Sequence, residues 1–248
     1  MKYQIGIACG QNSQHYVDFL IDSIIKNTPQ LDEVEILLGI DNECISKDSV
    51  NDFEKRVPNL NALFFEKDPN KVLSRGHGDI VNKIFPHFNS EFSVLIDCDS
   101  AILKFNWLEF LSSKLDQNNI VIGSEYEFGS GRYQNFPNVI FMLFNTKLLK
   151  SLDICFKPAE PPRDVGWQMP IKIKEAGYNG IPLKLVSPRQ KQTHSMMKFM
   201  QSDMRGEEYQ LDGVPIASHV GRSFSRTFDD PIVKNWTKRV REWNQSHG

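Results

Sequence analysis

The chain has 248 residues, a formal net charge of −2, 40% hydrophobic residues and 24% charged residues. That length suits one large domain with a full core. The near-even charge excludes the overall basic field that nucleic-acid binding calls for. Cys9, Cys44, Cys98 and Cys155 are far apart in sequence and show no paired metal spacing. Three of them lie in or beside apolar runs, which predicts reduced core thiols. There is no signal-peptide core and no apolar run of membrane-spanning length, so the expectation is a soluble, cytoplasmic protein.

Residues 3–9 read as a first strand, followed by the polar turn Gly10-Gln11-Asn12-Ser13. Tyr16, Phe19, Leu20, Ile24 and Ile25 recur at helical spacing over 15–27, and Pro29 lies just past the stop. Residues 34–40 form a second buried strand that ends in Asp41-Asn42; 49–57 predict a short helix and 63–66 a third strand. Strands alternating with helices predict a parallel sheet with right-handed crossovers. Asp41 then has two readings: a hydrogen bond to a ribose or base, or a turn formed with Asn42.

Arg75-Gly76-His77-Gly78-Asp79 precedes a predicted helix running to about His87. Arg75 could meet a phosphate, with the glycines allowing close backbone approach. The Gly-Lys-Ser/Thr of a P-loop is absent, and a plain loop is the other reading.

The centre of the chain is the run 92–96, which leads straight into Asp97 and Asp99. A short apolar run reads as a strand buried on both faces. Residues two apart in extended chain point the same way, so both carboxylates aim past the strand end. Ligands of open α/β sheets bind at that edge, and two hard oxygen donors suit Mg²⁺ or Mn²⁺ holding a diphosphate. The alternative is that these acids cap the next helix. Asn106-Trp107-Leu108-Glu109 has the spacing of a capping box and opens the helix predicted over 107–115, which leaves Asp97 and Asp99 unneeded for that task.

A strand over 120–124, a glycine loop within 127–132 and a strand over 139–144 follow, the last running into a short helix at Asn145-Thr146-Lys147-Leu148-Leu149. Ala159-Glu160-Pro161-Pro162-Arg163 is a stiff loop that delivers Asp164. A helix over 168–176 ends at Gly177. Residues 187–213 are polar, with Met196, Met197, Met200 and Met204 at helical spacing. They read either as a short packed helix or as a mobile segment closing over a ligand. In the tail, 231–243, Ile232, Val233, Trp236, Val240 and Trp243 form a stripe among Lys234, Lys238, Arg239 and Arg241. The stripe either docks on the domain or makes peripheral contact with an anionic membrane.

Taken in order, these motifs resemble those of glycosyltransferases of the GT-A fold, in the broad style of family 2. Asp97-Cys98-Asp99 matches the metal motif, Gly129-Ser130-Gly131 the glycine loop, Asp164 the late acid, His219 the C-terminal histidine and Asp41 the acid of the second strand. The family's late acid usually follows a Glu, whereas Arg163 stands here. The resemblance spans about Tyr3 to Arg222 and implies a GT-A type α/β fold, with a mostly parallel central sheet flanked by helices. It implies a catalytic domain over 1–230 and an amphipathic tail over 231–248. Asp97, Asp99 and His219 would hold Mn²⁺ or Mg²⁺. Asp41, Arg75, Asp97, Cys98 and Arg222 would meet a UDP- or GDP-sugar, with Arg226 a second candidate for its phosphates.

Asp164 would be the base that accepts the proton of a carbohydrate or lipid-linked acceptor in an inverting transfer. Its structural alternative is a helix N-cap. Three rival classes fit the residues less well. A haloacid-dehalogenase phosphatase would carry its Asp-x-Asp near the start and follow it with Thr or Val, not Ala101. A nucleotidyltransferase would want a glycine- and arginine-rich loop where Cys9-Gly10-Gln11-Asn12 stands. A non-catalytic nucleotide- or carbohydrate-binding protein of the same fold would have little need of intact Asp97, Asp99, Asp164 and His219.

Overall fold

The computed structural model describes residues 1–41, 44–66, 74–125, 135–159, 164–186, 206–221 and 226–247. The predicted glycine loop, Arg222 and residues 187–205 lie outside them. Ten strands form one sheet in the order β3-β2-β1-β4-β7-β6-β8-β9-β10-β5. These are β1 (Tyr3–Cys9), β2 (Val34–Asp41), β3 (Leu60–Phe65), β4 (Phe92–Asp97), β5 (Ser100–Ile102), β6 (Asn119–Ser124), β7 (Phe141–Asn145), β8 (Asn179–Val186), β9 (Glu207–Leu211) and β10 (Val214–His219). The helices are α1 (Gln14–Asn27), α2 (Lys47–Arg56), α3 (Ser74–Ile84), α4 (Trp107–Ser112), α5 (Thr146–Lys150), α6 (Met169–Glu175) and α7 (Pro231–His247).

The expectation of a mostly parallel sheet is corrected. The β3-β2-β1-β4 half is parallel, but β4–β7, β7–β6, β8–β9, β9–β10 and β10–β5 are antiparallel. Crossover helices build the first half; the second mixes hairpins and reversals with the parallel β6–β8 pair, reached through α5 and α6.

Each face of the sheet carries its own core. Ile5, Ile7, Ile36 and Leu38 face α1, α4 and α7, through Leu20, Ile24, Trp107 and Trp236. Ala8, Leu37, Leu95 and Phe144 face α3, α5 and α6, through Ile80, Ile84, Leu149 and Met169. Strand alternation produces this split. The close approach of α3 and the turn after it explains two glycines. A Cβ at Gly39 would sit 2.3 Å from Ile84 Cδ1, and one at Gly6 2.5 Å from Phe88 Cζ.

Several local expectations are also corrected. The Arg75–Asp79 motif is not a loop ahead of a helix but lies within α3. Gly78 serves packing, since a Cβ there would lie 2.9 Å from the Phe156 carbonyl oxygen. The capping box at Asn106 does not form. Its backbone is left-handed, its Oδ1 accepts from Gln30 Nε2 at 2.8 Å, and its Nδ2 donates to Glu109 Oε2 at 2.9 Å. The end of the segment predicted mobile, 187–213, is β9 and a tight turn.

The tail is helical and docks on the domain. Val233, Trp236, Val240 and Trp243 are buried in the same core as β1 and β2. Trp243 Nε1 donates to Leu103 O at 3.1 Å, and Asn244 Nδ2 to Ile102 O at 3.1 Å. No helix among the described residues is long and apolar enough to cross a membrane.

Candidate metal and donor site

Parallel pairing aligns three strand ends. Cys9 lies opposite Ile40, one residue before Asp41, and Ala8 lies opposite Asp97. The Gly10–Ser13 turn, Asp41 and Asp97 therefore share one sheet edge. Gly10 N donates to Ser13 Oγ at 2.9 Å, and a Cβ at Gly10 would meet nothing within 4 Å, so backbone lies open there.

β4 ends at Asp97, and Cys98-Asp99 turn the chain into β5. The two acids still converge, while Cys98 points elsewhere, its thiol 3.4 Å from Ser13 Oγ. β5 pairs with β10, which brings His219 opposite Ser100; Val220 N donates to Asp99 O at 3.1 Å. One ligand atom from each of Asp97, Asp99 and His219 lies within 4.8 Å of the others. His219 Nε2 is 3.2 Å from Asp99 Oδ1, and its Nδ1 is 3.4 Å from Glu207 Oε2.

Burial would lower the pKa of His219, but Asp99 and Glu207 outweigh it and hold the imidazole well above its ordinary range. Burial raises the Asp97 carboxyl from 3.8 to about 6, with Asp99 and Asp164 adding to the rise and His77 and His219 opposing it. Asp97 Oδ1 is buried without a hydrogen-bond donor, although His77 Nε2 stands 3.3 Å away. A buried, orphaned carboxylate oxygen beside a second carboxylate and an imidazole is a donor set that fits Mn²⁺ or Mg²⁺.

Asp164 is within electrostatic reach of Asp97. It is not a helix N-cap, because Gln168 takes that position on α6. Its Oδ1 accepts from Val165 N at 2.9 Å, and Trp167 N donates to its carbonyl at 3.1 Å. Gly166 N, at positive φ, donates to Phe156 O at 3.0 Å, which ties the Asp164 turn to the segment packed on α3. Arg75 stands exposed in the first turn of α3. Arg226 is buried and turned inward, its Nη1 3.4 Å from Gly221 O and its Nε 3.9 Å from Asp230 Oδ2.

His77, from the middle of the Arg75–Asp79 motif, joins the site at Asp97, and Glu207 and Tyr209 join it without a motif of their own. The signal for Glu207 is the Asp212-Gly213 dipeptide. Both residues have positive φ, as a two-residue hairpin turn requires. Counting back from that turn sets Glu207 opposite His219, one residue shifted by the bulge at Pro215/Ala217.

The sequence matches no protein-family model, and no curated protein resembles it as a relative. Among solved structures, the mannosyltransferase PcManGT from Pyrobaculum calidifontis, in complex with GDP-Man and Mn²⁺, superposes with a TM-score of 0.54 at 13% identity. The match covers 73% of this chain and 54% of that one, so this chain spans about half of PcManGT. TarS 1-349 of S. aureus has a TM-score of 0.48 at 21% identity, covering 68% of this chain and 53% of TarS. A mutant of LgtC has 0.46 at 16% identity, covering 70% of this chain and 64% of LgtC. The chain has the GT-A fold.

Proposed function

We propose that this chain is a glycosyltransferase that moves a sugar from a nucleotide-diphosphate donor to an acceptor hydroxyl, with inversion and with Mn²⁺ or Mg²⁺. The observation that carries this reading is the convergence of Asp97, Asp99 and His219 at the strand-end edge of a GT-A sheet. The GDP-Man and Mn²⁺ of the PcManGT complex support it. Residues 1–230 would carry the chemistry, and 231–248 would brace the strands that hold the metal ligands.

Asp97, Asp99 and His219 would hold the cation, which when bound supplies positive charge to the departing nucleoside diphosphate. Asp41 and the open backbone at Gly10 would receive the nucleoside of a UDP- or GDP-sugar. Arg75, Arg222 and the Cys98 backbone would line the phosphates. Asp164 would take the acceptor proton at its carboxylate, and the acceptor would be a carbohydrate or a lipid-linked sugar.

The test is a panel of UDP- and GDP-sugars incubated with the chain and Mn²⁺, scored by released nucleoside diphosphate. Release from at least one donor, abolished by EDTA, is the expected result. No release from any donor, with or without added sugar acceptors, would overturn the catalytic reading.

A further inference from the structure

Glu207 stands outside the candidate cation cluster, yet its carboxylate touches the cluster's histidine. The β9–β10 ladder sets Glu207 directly across from His219. The imidazole then lies between two carboxylates, Nε2 3.2 Å from Asp99 Oδ1 and Nδ1 3.4 Å from Glu207 Oε2. Tyr209, fully buried, donates its hydroxyl to the same Oε2 at 2.9 Å. Ser218 Oγ donates to the Glu207 carbonyl at 2.6 Å. The Glu207 carboxylate is therefore aimed, with its backbone tied to the residue beside His219.

An imidazole that serves a cation through one nitrogen keeps its proton on the other. A carboxylate facing that N–H fixes the tautomer and the ring angle. Here Nε2 faces Asp99, so Nδ1 is the nitrogen left to Glu207. We propose that Glu207, braced by Tyr209, is a positioning residue that holds His219 with Nδ1 protonated and Nε2 turned toward a cation shared with Asp97 and Asp99. This rests on the divalent-cation reading above.

The test follows Mn²⁺ uptake by the full chain through loss of the free-ion paramagnetic resonance signal. It compares the unsubstituted chain with Glu207→Gln, Glu207→Ala, Tyr209→Phe and His219→Ala. In parallel, nitrogen-15 imidazole spectra with Zn²⁺ as a diamagnetic probe report the His219 tautomer. Glu207→Gln should weaken Mn²⁺ binding about tenfold and Glu207→Ala by up to about a hundredfold. The unsubstituted chain should show a single Nδ1–H tautomer that becomes a mixture in Glu207→Ala.

If Glu207→Ala does not fold, Glu207→Gln decides. Unchanged affinity and tautomer in a folded Glu207 variant, with His219→Ala still abolishing uptake, would overturn the positioning role and leave the metal site standing. An unsubstituted chain that takes up no Mn²⁺ would overturn the cation reading itself, and this proposal with it.

Discussion

Trp236 Nε1 donates to Ser218 Oγ at 2.9 Å, and Ser218 is the residue before His219. The tail helix thus grips the strand that carries the candidate metal histidine. Trp236 is fully buried, so Trp236→Ala should cost about 3–5 kcal/mol from lost burial and the cavity left behind, read as a lower urea midpoint. Truncation before Pro231 should destabilise the domain and weaken Mn²⁺ uptake together. A truncated chain that melts unchanged but no longer sediments with anionic liposomes would show the helix to be a membrane element instead.

Asp97 sets a pH-dependent stability. Burial lifts its carboxyl from 3.8 to about 6. Because the folded value lies above the unfolded one, its contribution favours folding below about 3.8 and is lost as pH rises through about 6. At neutral pH the metal-free protein carries this ionised group at a cost of up to about 3 kcal/mol. Asp97→Asn should therefore raise the metal-free melting temperature at about pH 7.5 by several degrees and change it little at about pH 4. It should also remove the stabilisation by Mn²⁺. An equal effect at both pH values would show that the carboxylate is not strained.

Cation binding should compete with protons. His219 holds its proton well above the ordinary imidazole range through Asp99 and Glu207, against the opposing pull of burial. That proton must leave Nε2 before a cation takes its place, so apparent Mn²⁺ affinity should fall about tenfold for each pH unit of acidification. Calorimetry in buffers of different ionisation enthalpy would count the protons released. UDP or GDP should bind with Mn²⁺ and much more weakly after EDTA, since bare carboxylates repel a diphosphate. Equal nucleotide affinity after EDTA would remove the metal from the site.

The first half of the fold was legible in the sequence because α1 and the parallel strands obey the simple periods. β1, β2 and β4 are mostly apolar runs, each with one polar residue near its start, and their shared edge placed Asp41 and Asp97 together. The second half hides its pattern. β9 buries Glu208 and Gln210, so its polarity reads as solvent-facing. β10 contains Pro215 beside a bulge, which argues against an interior strand. β5 has only three residues. The convergence of Asp97 and Asp99 was legible from their spacing, and His219 only from its resemblance to a known pattern. Its contact with Asp99 depends on β10 pairing with β5, a long-range event that local periodicity does not encode.

Asp164 and Asp99 should divide the work between them. The turn that carries Asp164 is held by Gly166 N donating to Phe156 O at 3.0 Å and Trp167 N donating to Asp164 O at 3.1 Å, so its carboxylate is fixed by backbone rather than by a helix end. It sits near enough to Asp97 to raise that group's pKa, yet it is not among the three residues whose ligand atoms converge. Asp164 thus acts electrostatically on Asp97 without belonging to the converging set. Asp164→Asn keeps the shape and removes the proton acceptor, so turnover should fall by about a hundredfold or more with donor and Mn²⁺ affinity nearly intact. Asp99→Asn removes a ligand of the converging set and should instead weaken Mn²⁺-dependent donor binding. Steady-state kinetics paired with calorimetry on both variants reads the split. Normal turnover in Asp164→Asn would leave Asp164 a turn residue only. Loss of Mn²⁺ binding in that variant would instead make it a member of the cation site.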